Sequence, residues 1–341
     1  MIHNICEILK KVPYIPLLRL RFAIYFLYLS KRCFVVMEDK LCFVILNYKQ
    51  SEHVISNVKR ILKIYPQSSI VIIDNNSSDG SLENITHEFM ENANVKIYGN
   101  EENTGYAKGN NFGVQKAKED FNPEYVAIMN PDVELIDDEL VPKILKAFEN
   151  HPDLALCSGV MLNNKRKLDY TKIAWKVPDK LDDVILNIPF LGSRLSPIRY
   201  TEYSVQDSGL AFVDVIPGSF FVVRLKHFKS PNIFDDGTFL YCEERILGRI
   251  IKKRGLKTGL VMTNFYLHNH SYNKTPGLRQ TLLTYTRLVQ SRIYYNMKYN
   301  SWPKIIVMPP LYLSSLVGFL LTIIGWPVKK TIRYNSSNKG R

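Results

Sequence analysis

The sequence predicts an α/β fold in which a mainly parallel sheet is flanked by helices. Three observations carry that prediction. Short uninterrupted apolar runs, Leu41–Leu46, Ser69–Ile73 and Tyr125–Met129, alternate with segments of helical spacing. Continuous apolar strands of this kind mark a sheet covered on both faces. Each run ends on a polar residue, Asn47, Asp74 or Asn130, and in such sheets ligands bind beyond the carboxyl ends of the strands.

The elements follow in order. Tyr14–Val36 is apolar and aromatic, but Arg19 and Arg21 interrupt it, and Ser30-Lys31-Arg32 stands where a small-residue cleavage site would be. Its longest clean run, Phe22–Leu29, is too short to cross a bilayer. Residues 1–38 therefore read as a basic amphipathic surface helix rather than a signal peptide. The body spans 39–300. Helical spacing is expected over Glu52–Leu62, Glu83–Met90 and Asn110–Lys118, and a further strand over Val95–Tyr98. These elements make a first half, 39–135. The second half, 136–300, is less regular, with strands at Ala155–Met161, Phe220–Val223 and Leu260–Leu267 and helices over Glu243–Arg254 and Leu278–Met297. Residues 301–341 are apolar and then basic. Within them Ile305–Val328 is broken by Pro309-Pro310 and flanked on both sides by Lys298, Lys304, Lys329, Lys330 and Arg333. Symmetric basic flanks favour a segment lying in the membrane plane, or re-entering it, over a single span.

Composition excludes several classes. Of 341 residues, 46% are hydrophobic and 23% charged, so the chain is not disordered throughout. One long apolar stretch rules out a polytopic membrane protein. Cys6, Cys33, Cys42, Cys157 and Cys242 form no C-x-x-C pair. That argues against a disulfide scaffold or a cysteine zinc site and suits a reducing compartment. The net charge of +13 is unevenly spread: residues 1–36 carry six basic and one acidic residue, 37–244 carry 22 and 31, and 245–341 carry 17 and none. An acidic body with basic ends fits either a nucleic-acid binder or a protein resting on an anionic leaflet.

Five clusters could carry chemistry. Asp74-Asn75-Asn76-Ser77-Ser78-Asp79-Gly80-Ser81 sets a carboxylate at a strand end before a polar turn. It reads either as a capped strand-to-helix turn or as an acceptor for a nucleobase or ribose. Asn103–Asn111 places two glycines and several amides before a helix, where backbone N–H groups can hold phosphate and Lys108 adds charge. It matches neither the dinucleotide nor the P-loop fingerprint. Asn130-Pro131-Asp132 is either a turn or a carboxylate for Mg²⁺ or Mn²⁺ bridging two phosphates. Glu243-Glu244 opens a helix, where the pair either complements the helix dipole or supplies a general base. His268 and His270, after a strand, are either structural or contact a metal or phosphate.

Taken in order, these clusters, the strand ending at Asn47-Tyr48, Gly218-Ser219-Phe220-Phe221, Phe234-Asp235, Phe239-Leu240-Tyr241-x-Glu243-Glu244 and His268 resemble one family. It is the family-two inverting glycosyltransferases of GT-A fold, in particular the bacterial rhamnosyltransferase-like branch, and the resemblance covers about residues 41–300. It implies a donor pocket lined by Asn47, Asp74, Asn76, Asp79, Gly105, Lys108, Asn110, Asn130 and Asp132, with Asp74 on the base of a nucleotide-sugar. It implies a divalent cation, Mg²⁺ or Mn²⁺, on Asp132 with His268, and Glu244 as the base that deprotonates the acceptor hydroxyl. Two departures stand out. The family often has Glu-Asp where this chain has Glu243-Glu244, so either residue could be the base, and Asn-Pro-Asp offers the metal one carboxylate. The resemblance further implies a dTDP- or UDP-sugar donor, rhamnose among the candidates, and a lipid-linked or oligosaccharide acceptor. The setting would be cell-surface polysaccharide synthesis, capsule or O-antigen, at the cytoplasmic face of the plasma membrane. The basic ends would dock on the anionic surface, and no nucleic-acid partner is expected. The rival readings are a basic nucleic-acid binder and a non-catalytic nucleotide-sugar scaffold.

Overall fold

A computed structural model describes residues 39–170, 172–186, 198–269 and 278–337. The amphipathic segment expected over 1–38, His270 and the last basic residues lie outside the described residues. The described strands are β1 (Leu41–Asn47), β2 (Ser69–Asp74), β3 (Val95–Gly99), β4 (Tyr125–Met129), β5 (Val133–Leu135), β6 (Leu154–Leu162), β7 (Leu210–Val213), β8 (Phe220–Arg224) and β9 (Lys257–His268). The helices are α1 (Ser51–Ile64), α2 (Ser81–Phe89), α3 (Gly105–Phe121), α4 (Leu140–Asn150), α5 (Lys180–Ile185), α6 (Glu243–Lys253), α7 (Leu278–Asn300) and α8 (Lys304–Ser337).

The strands form one sheet in the order β3-β2-β1-β4-β8-β6-β9-β5, with β7 also on β9. From β3 to β4 it is parallel. Beyond β4 it is mixed, because β8 runs antiparallel to both β4 and β6, while β6 and β9 are parallel. Side chains alternate across a strand. Phe43, Ile45, Ile70, Ile72, Ala127 and Met129 therefore pack to one side, against Val54, Val58 and Ile61 of α1 and Ile144 and Phe148 of α4. Val44, Val71, Ile73, Val126 and Ile128 pack to the other, against Val114 and Ala117 of α3 and Leu247 and Ile251 of α6. Burying each such side chain contributes roughly 1.5–3 kcal/mol.

Two expectations need correction. Helix α3 begins at Gly105, five residues before the expected Asn110, so the cluster read as a loop forms the first turns of the helix. Its glycines lower helix propensity, which hid the start. They are there for space: a Cβ at Gly109 would lie 2.6 Å from Leu46 Cδ1 of β1. Pro309-Pro310 does not break the C-terminal segment, since α8 runs through both. The two lost N–H groups fall in its second turn, where Ile305 is 81% and Ile306 44% exposed, so water can satisfy the freed carbonyls. Among the described residues no helix is long and apolar enough to cross a membrane.

Candidate active site

Register decides which loops share an edge. Asn47 pairs with Asp74 at the ends of β1 and β2. Met129 pairs with Phe220 across β4 and β8, so Asn130 leaves the sheet where Ser219 enters it. Val133 pairs with His268. The parallel strands thus deliver Asn47, Asp74 and Asn130 to one edge, and the antiparallel strand β8 brings Gly218-Ser219 back to it.

Around Asp74 the structure is a closed set of neutral donors. Asn47 Nδ2 donates to Asp74 Oδ1 at 2.7 Å, Ser77 Oγ to the same oxygen at 2.5 Å, and the Ser77 amide to Oδ2 at 2.9 Å. Asp74 is buried. Beside it Asn75, also buried, donates to Asn103 Oδ1 at 3.1 Å and accepts from Asn100 Nδ2 at 2.9 Å and the Thr104 amide at 3.1 Å. The loops after β2 and β3 are therefore one unit. Asn76 and Asp79 are exposed; Asn76 Nδ2 donates to Glu101 O at 2.7 Å, and Asp79 Oδ1 accepts the Ser81 amide at 3.1 Å. Ser81, through its side chain first and its amide after, holds the Asp79 carboxyl below its usual range.

The start of α3 is pinned to the 234–239 segment. Gly105 has φ +81°, and a Cβ there would lie 2.3 Å from Phe239 O, so only glycine fits. The Tyr106 amide donates to that oxygen at 2.9 Å. Asn111 exchanges two hydrogen bonds with the Phe234 backbone, at 2.9 and 3.0 Å. Lys108 is exposed. Asn110 is buried; its Nδ2 donates to Tyr106 O at 2.9 Å, and its Oδ1 has no partner among the described residues. An orphaned buried acceptor at a helix start suits a ligand donor.

Asp132 and His268, 136 residues apart, meet at the opposite side of this edge: His268 Nε2 lies 3.2 Å from Asp132 Oδ1, the two side chains 10% and 14% exposed. The buried Asn57 of α1 steadies their loop by donating to Pro131 O at 2.5 Å, and the Asn269 amide donates to Asp132 O at 2.8 Å. A carboxylate and an imidazole suit a divalent cation that takes its remaining ligands from phosphate and water. Among the described residues no group of three acidic, His or Cys side chains forms a self-contained metal site.

Gly218-Ser219 joins this loop to the glutamates. Ser219 O accepts the Asn130 amide at 2.8 Å, and Gly218 O accepts the Tyr106 hydroxyl at 2.5 Å. A Cβ at Gly218 would lie 2.6 Å from Glu244 Oε1, so the missing side chain makes room for that carboxylate. The two glutamates part company here. Glu243 is buried and accepts from Thr238 Oγ1 at 3.3 Å. Burial, then the neighbouring Glu244, push its carboxyl up to about 8, so it is largely protonated at neutral pH. Glu244 instead lines a cavity of about 330 Å³ with Trp175, Arg199, Arg245 and Arg292. Burial raises its carboxyl, against the pull of the Glu244 and Gly218 amides and of Arg245. Just ahead, Tyr241 and Cys242 both sit in the left-handed region, φ +78° and +72°, a strain of about 1–3 kcal/mol each that turns the chain sharply into α6.

Sequence reasoning missed Asn57, Asn75, Tyr106, Trp175, Arg199 and Arg292. Asn75 and Tyr106 lay inside motifs already singled out. The others act across long separations and carry no local signal.

With this geometry in place, comparison with known proteins is informative. Residues 42–208 match the family described as Glycosyl transferase family 2. Over 122 residues the chain is 31% identical to the poly-β-1,6-N-acetyl-D-glucosamine synthase of Staphylococcus epidermidis, covering 36% of this chain and 28% of the synthase. This chain thus matches little more than a quarter of that relative's length. It is 29% identical over 239 residues to the low-salt glycan biosynthesis hexosyltransferase Agl10 of Haloferax volcanii, 70% of each chain. It is 25% identical to the rhamnosyltransferase WbbL of Escherichia coli K12 over 58% of this chain and 74% of WbbL. Among solved structures, the mannosyltransferase PcManGT of Pyrobaculum calidifontis, in complex with GDP-Man and Mn²⁺, superposes with a TM-score of 0.50 over 89% of this chain and 81% of that one. At 11% identity that likeness is one of fold, and it bears out the expected architecture.

Proposed function

This chain belongs to glycosyl transferase family 2 through its residues 42–208, and on that premise we propose that it moves a sugar from a nucleotide diphosphate to a hydroxyl of a glycan, inverting the anomeric centre. One observation carries the reading. Gly218-Ser219 touches both sides of the site, the Asn130 amide on one and the Glu244 carboxylate on the other. A donor held near Asp132 and an acceptor held near Glu244 therefore face each other across two residues.

The roles follow from placement. Asp74, whose Oδ2 keeps a lone pair beyond the Ser77 amide, receives the base of the donor, and the orphaned Asn110 Oδ1 accepts a donor hydroxyl. Asn47, Asn76, Asp79, Gly105, Lys108 and Asn130 shape or border that pocket. Asp132 and His268 hold the divalent cation, Mg²⁺ or Mn²⁺, which when bound neutralises charge on the departing diphosphate. Glu244 is the base: it lines the cavity, whereas Glu243 points into the protein and stays protonated. Glu244 accepts the acceptor's proton as the new glycosidic bond forms and the bond to the diphosphate breaks. A positioned base supplies roughly 10²–10⁴-fold.

The reading extends to a UDP- or dTDP-linked donor; that its sugar is a hexosyl unit, rhamnose among the candidates, is what the similarity to Agl10 and WbbL supports. Body residues 39–300 divide into a donor half, 39–135, and an acceptor half, 136–300. Residues 301–341, with 1–38, rest on the anionic cytoplasmic leaflet, where a lipid-linked acceptor would lie. In support, α8 exposes Tyr312, Leu313, Leu316 and Leu320, and the last 97 residues carry no acidic side chain. Each near-surface basic residue adds about 1 kcal/mol there.

The test is a donor screen by mass spectrometry on membranes holding the full chain, with Mg²⁺ or Mn²⁺. A mass gain from one nucleotide-sugar, abolished by chelation, is expected. No transfer from any nucleotide-sugar, or transfer indifferent to chelation, overturns the reading or its metal.

A further inference from the structure

We infer that Tyr106 is a positioning residue for the base: its hydroxyl fixes the Gly218 peptide and thereby sets where the Glu244 carboxylate lies. This rests on the reading that Glu244 is the base. Tyr106 stands in the first turn of α3, on the donor side, yet its polar groups reach the acceptor side. Its hydroxyl donates to Gly218 O at 2.5 Å, across 112 residues of chain. Its amide donates to Phe239 O at 2.9 Å, just ahead of the glutamates. Its ring meets Phe234 edge-on, with centroids 5.4 Å apart. The side chain is thus held at three points around the segments that carry Glu244.

Gly218 needs such a restraint. Pro217 before it has a fixed φ. Ser219 after it is tied down, its carbonyl accepting the Asn130 amide at 2.8 Å and its Oγ lying 3.0 Å from the Tyr266 hydroxyl. Gly218 between them has no Cβ to limit its backbone. A side chain cannot supply the limit, because Glu244 fills that space: a Cβ would lie 2.6 Å from Oε1 and 2.9 Å from Cγ. The gap that admits the base therefore leaves the peptide sterically loose, and the Tyr106 hydroxyl is what holds it. The hold matters because the Gly218 amide donates to Glu244, and a donor aimed at a carboxylate favours its ionised form. A phenol has one proton to give. Burial first, then Glu244 and Glu243, keep the proton affinity of Tyr106 well above its ordinary value, so it remains a donor throughout the neutral range.

The experiment labels the full chain with glutamate carrying ¹³C at the side-chain carboxyl and follows those resonances by NMR as pH is varied. The Glu244 signal is the one missing from Glu244→Gln. Glu244 is faced by Tyr241, Cys242, Glu243 and Arg245 from its own segment, by Arg292 from α7 and by Arg199, and Tyr106→Phe alters none of them. That variant keeps the ring and the backbone bonds and removes only the hydroxyl. Its Glu244 should titrate about one pH unit above that of the unaltered chain, since the carboxylate loses an aligned amide. Tyr98→Phe, which removes a phenol bonded at 2.8 Å to Asp120 at the other end of α3, should leave the Glu244 titration in place. If Tyr106→Phe does not fold, Tyr106→3-fluorotyrosine, a stronger donor of nearly the same shape, should move the titration the opposite way, downward. An unmoved Glu244 titration in the folded variant, or an equal move in Tyr98→Phe, overturns the inference. So does a lower melting temperature with no such move, which would mark Tyr106 as structural only. The underlying reading fails separately: transfer that survives Glu244→Gln removes Glu244 as the base and leaves the titration result standing.

Discussion

Around Asp74 the sheet edge is built from amides, hydroxyls and backbone groups that satisfy one another at 2.5–3.1 Å. Around Glu244 the same edge is built from charge: two adjacent carboxyls, the Asp183–Arg245 pair and a second buried arginine. The first region is shaped by fixed, neutral hydrogen bonds, which hold a pocket open. The second concentrates unlike and like charges in low dielectric, which shifts proton affinities strongly. Shape on one side and reactivity on the other is the division a two-substrate transfer requires, since one partner must be held and the other deprotonated.

The largest expected effect tests the reactive side. Glu244→Gln should lower kcat by about 10²–10⁴-fold while donor binding, followed by titration with the nucleotide diphosphate, stays within about twofold. Near-normal turnover would move the base elsewhere and dissolve the contrast. Next, His268→Ala and Asp132→Asn should each weaken the Mn²⁺ dependence of kcat/KM by at least about 10–100-fold, leaving the pH profile of transfer in place. An altered pH profile with unchanged metal dependence would put both residues on the acceptor side.

The neutral side should respond in stability. Gly105→Ala forces a side chain onto the Phe239 carbonyl at a left-handed φ and should cost about 1–3 kcal/mol in denaturant unfolding, with weakened nucleotide binding. A silent substitution would mean that α3 is not anchored there. The smallest effect sharpens the electrostatic half. Glu243 ionises near pH 8 when folded, against an ordinary 4.5, so the folded chain holds the extra proton. Its contribution is complete below about pH 4.5 and is lost as pH rises towards 8. Between pH 6 and 7 stability should fall by at most about 1.4 kcal/mol, and Glu243→Gln should flatten that slope in thermal melts. A slope unchanged in the variant would place the proton elsewhere.

The parallel half of the sheet was legible because β1, β2 and β4 are buried on both faces and so read as unbroken apolar runs. The short strand β5 and the α4 helix went unread, as did the true start of α3, whose glycines serve close packing on β1 at the expense of helix propensity. Asp74, Asp132 and Glu244 were visible because each follows or opens an element in a recognisable polar cluster. Trp175 and Arg292 were not: one sits in an irregular segment and the other on a helix 50 residues past Cys242, and only the folded chain sets them in one wall. Asn57 is the same case, an amide within an amphipathic helix whose partner, Pro131 O, lies 74 residues away.

Helix α7 has a practical consequence. Asp235 accepts Tyr294 and Lys298 at 2.7 Å each and Tyr299 as well, Arg249 donates to Asn300 Oδ1 at 2.6 Å, and Trp302 Nε1 reaches Lys180 O at 3.0 Å. The greasy exterior of α8 invites trimming by anyone wanting a more soluble preparation. A cut ahead of Leu278 would remove Arg292 and strip every one of these fastenings, whereas ending the chain just past Trp302 keeps them all.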